Sequence, residues 1–301
     1  MKRAALTLIL GIAIAAQAQN PSFEVASIKP NNSRAGGPEE IMLGCHGTDS
    51  HSQENIVPMG RCVVRHEPLR LVIALAYDVP PAFMIPYDGK ILSGPDWINS
   101  DVYNFDAKAE GPATEAQLKL MLQTLLAERF NLKLHRETKE LPVYALVTTR
   151  NPLKFQPAPK DRECEGQSRS DHRYELGSRN IAGQCHGFVP ENGQMSGRSV
   201  DMSDVAEMLS RWAGRVVIDR TEIKGLFDVQ LPRMASANVP LGGGGAGARE
   251  GAPGPAVEGR FSRDSIPTVF AAVEQFGLKL ESSKGPVEVL VVDNIQKPTE
   301  N

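Results

Sequence analysis

The stretch "FNLKLHRETKELPVYALV" (residues 130–147) is written a second time as "FGLKLESSKGPVEVLVV" (residues 276–292). With a two-residue gap, eight positions match: Phe130/Phe276, Leu132/Leu278, Lys133/Lys279, Leu134/Leu280, Pro142/Pro286, Val143/Val287, Leu146/Leu290 and Val147/Val291. Most are apolar, and they alternate along each stretch. Period-two alternation is the mark of a pleated strand with one buried face. The recurring element is therefore a packing unit, not a set of catalytic groups. The spacing predicts a strand pair at 132–135 and 143–148, and a second at 278–280 and 287–292.

Outward from these copies, each half of the chain has a similar order. In the first, "FEVASIKPN" reads as a strand ending at Pro30, followed by a Gly-, Asn- and Ser-rich loop over 31–60. Cys62, Val63 and Val64 suit a strand. Pro68 suits the opening turn of a helix, where its missing N–H costs little, and Leu69, Val72, Ile73 and Ala76 form its buried stripe. "GPDWINS" reads as a turn anchored by Trp97, and "DVYNFDAKAE" as a strand. Thr114 and Gln117 have capping-box spacing ahead of Leu118, Met121, Leu122, Leu125 and Leu126.

The second half runs from a weak strand in "LKFQPAP" through a polar loop at 160–193. A helix capped at Asp201 or Ser203 carries Val205, Met208, Leu209 and Trp212. The strands "RVVIDRT" and "GLFDVQL" come next, then a helix opened by Ser265 and Pro267 that carries Val269, Val273 and Phe276. The fold class expected is α+β: two tandem related units, each a small, mainly antiparallel sheet covered by two helices. The units span 19–150 and 151–301. Units of this size can each bury a core.

The segment 241–259, "LGGGGAGAREGAPGPAVEG", interrupts the second unit and reads as a solvated, mobile loop. It lacks the Gly-Lys-Ser/Thr ending of a phosphate-cradling loop. Deleting 242–258 is expected to leave the melting temperature almost unchanged in a thermal scan.

Residues 1–18 read as a signal peptide: Lys2 and Arg3, a short apolar run, and Ala16-Gln17-Ala18 for cleavage. The apolar run is shorter than the roughly 20 residues of a spanning helix. The expected location is periplasmic or extracellular, with no membrane span after cleavage. Without Lys2 and Arg3 the chain has 31 basic and 36 acidic residues. That balance gives no electrostatic footing for nucleic acid or anionic lipid.

Four cysteines, Cys45, Cys62, Cys164 and Cys185, suggest disulfides in an exported chain. Of three connectivities, Cys45–Cys62 and Cys164–Cys185 are expected, since they close the shorter loops.

Five phrases in order resemble a known family: "FEVASIKPN", "SGPDWINSDVYNFDAKAEG", "LLAERFNLKLHRETKELPVYALV", "DRTEIKGLFDVQL" and "FGLKLESSKGPVEVLVVDN". The chain is similar to the soil-associated family of secreted bacterial proteins of unknown function. The resemblance implies export, and it carries no catalytic residues across. Some relatives place a similar domain behind a membrane metallopeptidase of the antibiotic-sensing antirepressor type, which implies a sensory or binding role by analogy. The repeat unit also distantly resembles the short N-terminal domains of secretins and TonB-dependent receptors, small periplasmic modules that bind other proteins. The Gly-rich insertion departs from that pattern.

Motifs for chemistry are sparse. "CHG" occurs at 45–47 and 185–187, but adjacent Cys-His is not a usual chelating spacing, and His-Glu-x-x-His is absent. There is no Gly-x-Ser-x-Gly elbow and no Ser-x-x-Lys. No catalytic residue, cofactor or metal ligand is expected. Asp96, Trp97, Arg129 and His135 are the candidate ligand contacts. The expected function is a secreted, non-catalytic binding or sensory module for an unknown protein or cell-envelope component. The alternative is a secreted hydrolase of envelope or plant polymers.

Overall fold

The two copied stretches pair with each other. They form two long strands, β6 (Lys133–Thr148) and β12 (Leu278–Asn294). The strands run antiparallel along their whole length, with Leu141 opposite Gly285 near the middle. The two strands expected within each copy are in fact one unbroken strand. The polar middles "HRET" and "ESSK" are exposed stretches of extended ribbon, not turns. The first has no Asn-Gly or Gly-X pair of the kind a tight hairpin needs, and Gly285-Pro286 of the second is paired in the ladder with Leu141 and Glu140.

The computed structural model describes residues 20–31, 42–50, 57–79, 91–160, 185–191, 194–234 and 267–298. The leader, Cys164, Ser265 and the 241–259 segment lie outside the described residues. Short parallel strands flank the ribbon: β10 (Val217–Asp219) along β6, and β4 (Leu92–Ser93) along β12.

On one side of the ribbon lies an antiparallel sheet of β1 (Val25–Pro30), β2 (Met42–His46), β3 (Arg61–Pro68) and β5 (Val102–Lys108), in the order β1-β5-β3-β2. A second antiparallel sheet contains β7 (Gln156–Pro157), β8 (Gly187–Glu191), β9 (Gln194–Val200) and β11 (Phe227–Leu231), in the order β7-β11-β9-β8. Both sheets have the same irregularity. The register of β3 on β5 slips between Val64 and Glu67, and that of β9 on β11 slips between Gly197 and Val200. At each slip one residue is left-handed, His66 at φ 53° and Ser199 at φ 46°. Each donates its N–H at 2.9 Å to a side chain of the neighbouring strand, Asn104 Oδ1 and Asp228 Oδ1 respectively. Such bulges bend a strand and re-aim the segment after it, which in both sheets is a helix.

The helices are α1 (Leu69–Ala76), α2 (Trp97–Ser100), α3 (Glu115–Phe130), α4 (Met202–Ala213) and α5 (Val269–Glu274). Thr114 and Gln117 form the expected capping box, and Asp201 caps α4 in a box with Asp204. The chain is thus α+β with mostly antiparallel sheets. "GPDWINS" forms the one-turn helix α2 rather than a simple turn. Strands β2, β4 and β8 were not foreseen. They are short or lie in Gly-rich, polar sequence, and pairing with a neighbour, not their own pattern, holds them extended.

Apolar side chains gather in two cores. The first includes Val64, Ile73, Phe105, Leu122, Leu126 and Phe130, and also Val287, Val289 and Leu290 from β12. The second includes Val205, Leu209, Val229, Val269 and Leu278, and also Leu146 from β6. Each core therefore takes apolar residues from the other half's long strand, where self-contained cores were expected.

One buried charge ties the first half together. Lys119 on α3 has a side chain 5% exposed, 2.8 Å from Asp78 and 2.7 Å from Glu115. Burial alone would lower its pKa, but the two carboxylates outweigh it and the net shift is upward. Asp78 is left-handed, at φ 56°, just past α1. Lys119→Met is expected to lower unfolding stability in urea by about 2 kcal/mol, since two carboxylates lose their cation and only one lies near solvent.

Candidate functional site

Two polar constellations stand out, one in each half. The first is the corner where β3, α1 and α2 meet. Pro68 opens α1 as expected, and Leu69 N–H donates to Asp101 O at 3.3 Å. Asp96 precedes α2, is exposed, and makes no side-chain cap bond. Trp97 is half-buried against the first core. Lys297 lies over its ring, 5.4 Å from the centroid, and 2.5 Å from Asp101 Oδ2. Arg70 Nη1 donates to Asn99 O at 3.2 Å. Glu67 is 7% exposed. Burial pushes its carboxyl up to about 7, with Arg70 pulling partly the other way.

A C-terminal strip leads away from this corner. Gln296 N–H donates to Phe130 O at 2.7 Å, and Asn294 Nδ2 to Asn131 O at 2.8 Å. His135 Nδ1 lies 3.0 Å from Asp293. Trp97 and His135 are thus touched by the same strip, from Lys297 and Asp293. Asp96 lies beside Trp97. Arg129 is exposed in the last turn of α3, where a cation suits the helix dipole.

The second constellation surrounds His186. This residue is left-handed, at φ 63°, and donates its N–H to Ser199 O at 3.1 Å. Its Nδ1 is 2.7 Å from Asp204 Oδ2, which also accepts the Asp201 N–H at 2.8 Å. Asp201 Oδ1 in turn accepts from Ser203 N and Asp204 N. The side chains of His186 and Asp204 are 16% and 4% exposed. One nitrogen and two carboxylates lie within 4.8 Å, enough ligands to begin a cation site. The helix start argues for another use. Its N–H groups and dipole favour an anion, and these oxygens already satisfy three backbone donors. The arrangement fixes an imidazole by a buried carboxylate. The sequence showed His186 and Asp201 separately. No local signal joined His186 to Asp204, which lies across the sheet edge.

The two "CHG" triplets occupy unlike places. Cys45 and His46 end β2 opposite Cys62 and Arg61, and His46 Nδ1 lies 2.7 Å from Val57 O. Cys185 and His186 instead lead into β8. Cys45 and Cys62 face each other on neighbouring strands and form a disulfide, with Cα atoms 4.0 Å apart. Cys185 is also disulfide-bonded. At the "DRT" turn, Asp219 Oδ1 accepts from the N–H and the hydroxyl of Thr221, each at 2.8 Å.

Among the described residues no helix is long and apolar enough to cross a membrane. No curated protein and no solved structure matches the chain. A family model described as "Protein of unknown function (DUF3738)" matches residues 70–295, which takes in the His186 constellation, both long strands and part of the corner at α1 and α2, and the chain belongs to that family.

Proposed function

We propose that the chain is an exported, non-catalytic binding or sensory module, made of two related α+β units, whose partner is a protein or cell-envelope component. The observation that carries this reading is the like strand order of the two outer sheets around one shared ribbon. A matched bulge and a matched side-chain brace in each sheet support descent from one unit. Each outer sheet ends in edge strands, β1 and β2 in one, β7 and β8 in the other. Edge strands offer backbone donors and acceptors to an added strand of a partner. Val25 on β1 is 60% exposed, an apolar contact available there. Export rests on the leader at 1–18, and the disulfide is compatible with it.

The test is binding of the mature protein to envelope fractions, titrated to saturation, then repeated with Ala26→Pro on β1. Saturable binding weakened tenfold or more by the substitution supports the reading. Saturable turnover of an envelope or plant polymer, lost on changing one acidic residue, defeats it.

A secreted hydrolase is the second reading, and His186 favours it. An imidazole oriented by a buried carboxylate is the base-and-orienter part of a nucleophilic site. On that reading, His186→Ala abolishes turnover while leaving binding intact.

A further inference from the structure

The outward face of the β1-β5-β3-β2 sheet carries a surplus of positive charge. On the inward face, Ala26 and Ile28 of β1, Phe105 of β5 and Val64 of β3 pack in the first core. Period-two alternation then turns their neighbours outward. Lys29 of β1 lies opposite Asn104, and Val63 of β3 lies opposite Asp106. Arg61 and Arg65 stand two residues either side of Val63 and reach the Asp106 carboxylate from both sides, at 2.8 Å and 3.3 Å. Lys108 lies opposite Arg61 and is 3.2 Å from Glu24. Lys29 is exposed, and each of the other charged side chains keeps a third or more of its surface in solvent. Four cations thus stand with two carboxylates on this face, in a chain whose whole balance is acidic, 33 basic residues to 36 acidic.

Packing does not require this surplus. The other outer sheet has the like strand order and the like bulge, and on its matching face β9 and β11 present one cation, Arg198, and one carboxylate, Asp228. Arg198 holds the place of Arg65, one residue before the left-handed residue. The extra cations therefore belong to the first half's surface and not to the fold. Their chemistry narrows the partner. A guanidinium presents a planar fork that matches a carboxylate, and two forks here already close on one. No Phe, Tyr or Trp points outward from these four strands, so nucleic-acid bases find no stacking platform. The centre of the face is polar and lacks the aromatic anchors of a protein interface. The chain's acidic balance opposes a dense polyanion. A polymer with spaced carboxylates, lying across an open sheet, fits what is left.

We propose that this face binds a carboxylate-bearing envelope polysaccharide of the uronate type, with Lys29, Arg61, Arg65 and Lys108 as its cations. The proposal rests on the binding-module reading and names the chemistry of its envelope partner. Lys29 and Lys108 meet sugar carboxylates as point charges. Arg61 and Arg65 share their donors between Asp106 and the ligand, and Asp106 holds both guanidinium groups in place. Asp106 also repels a lone carboxylate, so affinity comes from several sugars engaged at once. Such binding is screened by salt.

The test titrates the full mature chain with polygalacturonate at low salt, by calorimetry, with the methyl-esterified polymer as the neutral control. Saturable binding is expected, lost on esterification and weakened by added salt. Lys29→Glu combined with Lys108→Glu should weaken it about tenfold or more, while Arg198→Ala on the other sheet leaves it unchanged. If the double reversal fails to fold, Lys29→Gln with Lys108→Gln takes its place, with about a threefold loss expected. No saturable binding, or binding unmoved by the lysine variants, overturns the proposal. So does polyphosphate or polyglutamate that binds as tightly as polygalacturonate through the same lysines. Failure here is distinguishable from failure of the module reading. Envelope fractions that bind the chain while polygalacturonate does not leave the reading standing and sink this face. Release of new reducing ends from polygalacturonate sinks the reading, and the lysine variants still decide the face.

Discussion

Phe130→Ala is expected to lower unfolding stability by about 4 kcal/mol in urea, within the range for emptying a fully buried aromatic site. Phe130 has no exposed surface. Its ring stacks on Phe105 at 6.1 Å and meets Tyr103 edge-on at 5.4 Å. Gln296 N–H is bonded to the Phe130 carbonyl, which holds the adjoining strip in place beside the site. Phe276, its counterpart in the copied stretch, is half-buried and touches Phe155 at 5.2 Å. Phe276→Ala should cost roughly half as much. Equal losses at the two sites would mean that the two cores are more alike than their burial indicates.

The second large effect is expected one residue later in each copy. Asn131 and Gly277 both leave their helices in the left-handed region, at φ 48° and φ 80°. Asparagine tolerates that region and glycine adopts it freely. A Cβ on Gly277 would also lie 2.5 Å from Pro152 O and 2.8 Å from Asn151 O, both backbone atoms that cannot rotate away. Gly277→Ala should therefore cost about 3–4 kcal/mol, from left-handed strain plus overpacking. Asn131→Ala, with the backbone strain alone, should cost about 1 kcal/mol. Urea unfolding midpoints of the two variants check the difference. A neutral Gly277→Ala would mean that the 151–152 link gives way easily.

Local chemistry made several features legible in advance. The Thr114–Gln117 box, the Asp201 cap, the buried stripes of α3 and α4 and the Cys45–Cys62 disulfide all lie within short sequence spans. Each is set by groups a few residues apart or by neighbouring strands of one hairpin. The corner residue Trp97 was also visible, as an aromatic in a turn. Glu67 was not, because a glutamate before a proline looks like any exposed helix entrance. Its burial depends on α2 and β5 closing over it.

The sequence by itself determined that apolar residues would alternate in two like stretches of extended chain, read as a strand pair in each, where the structure has one unbroken strand in each. It could not say which strand each would pair with, because alternation records which face is buried and not the identity of the neighbour. Only the tertiary structure decided that the copies pair with each other. Each long strand presents apolar side chains to both cores, so the lowest free energy comes from one ribbon shared between them. The same holds for His186 and Asp204: the sequence marked His186 only within "CHG" and did not single out Asp204, and only the fold brings them to 2.7 Å.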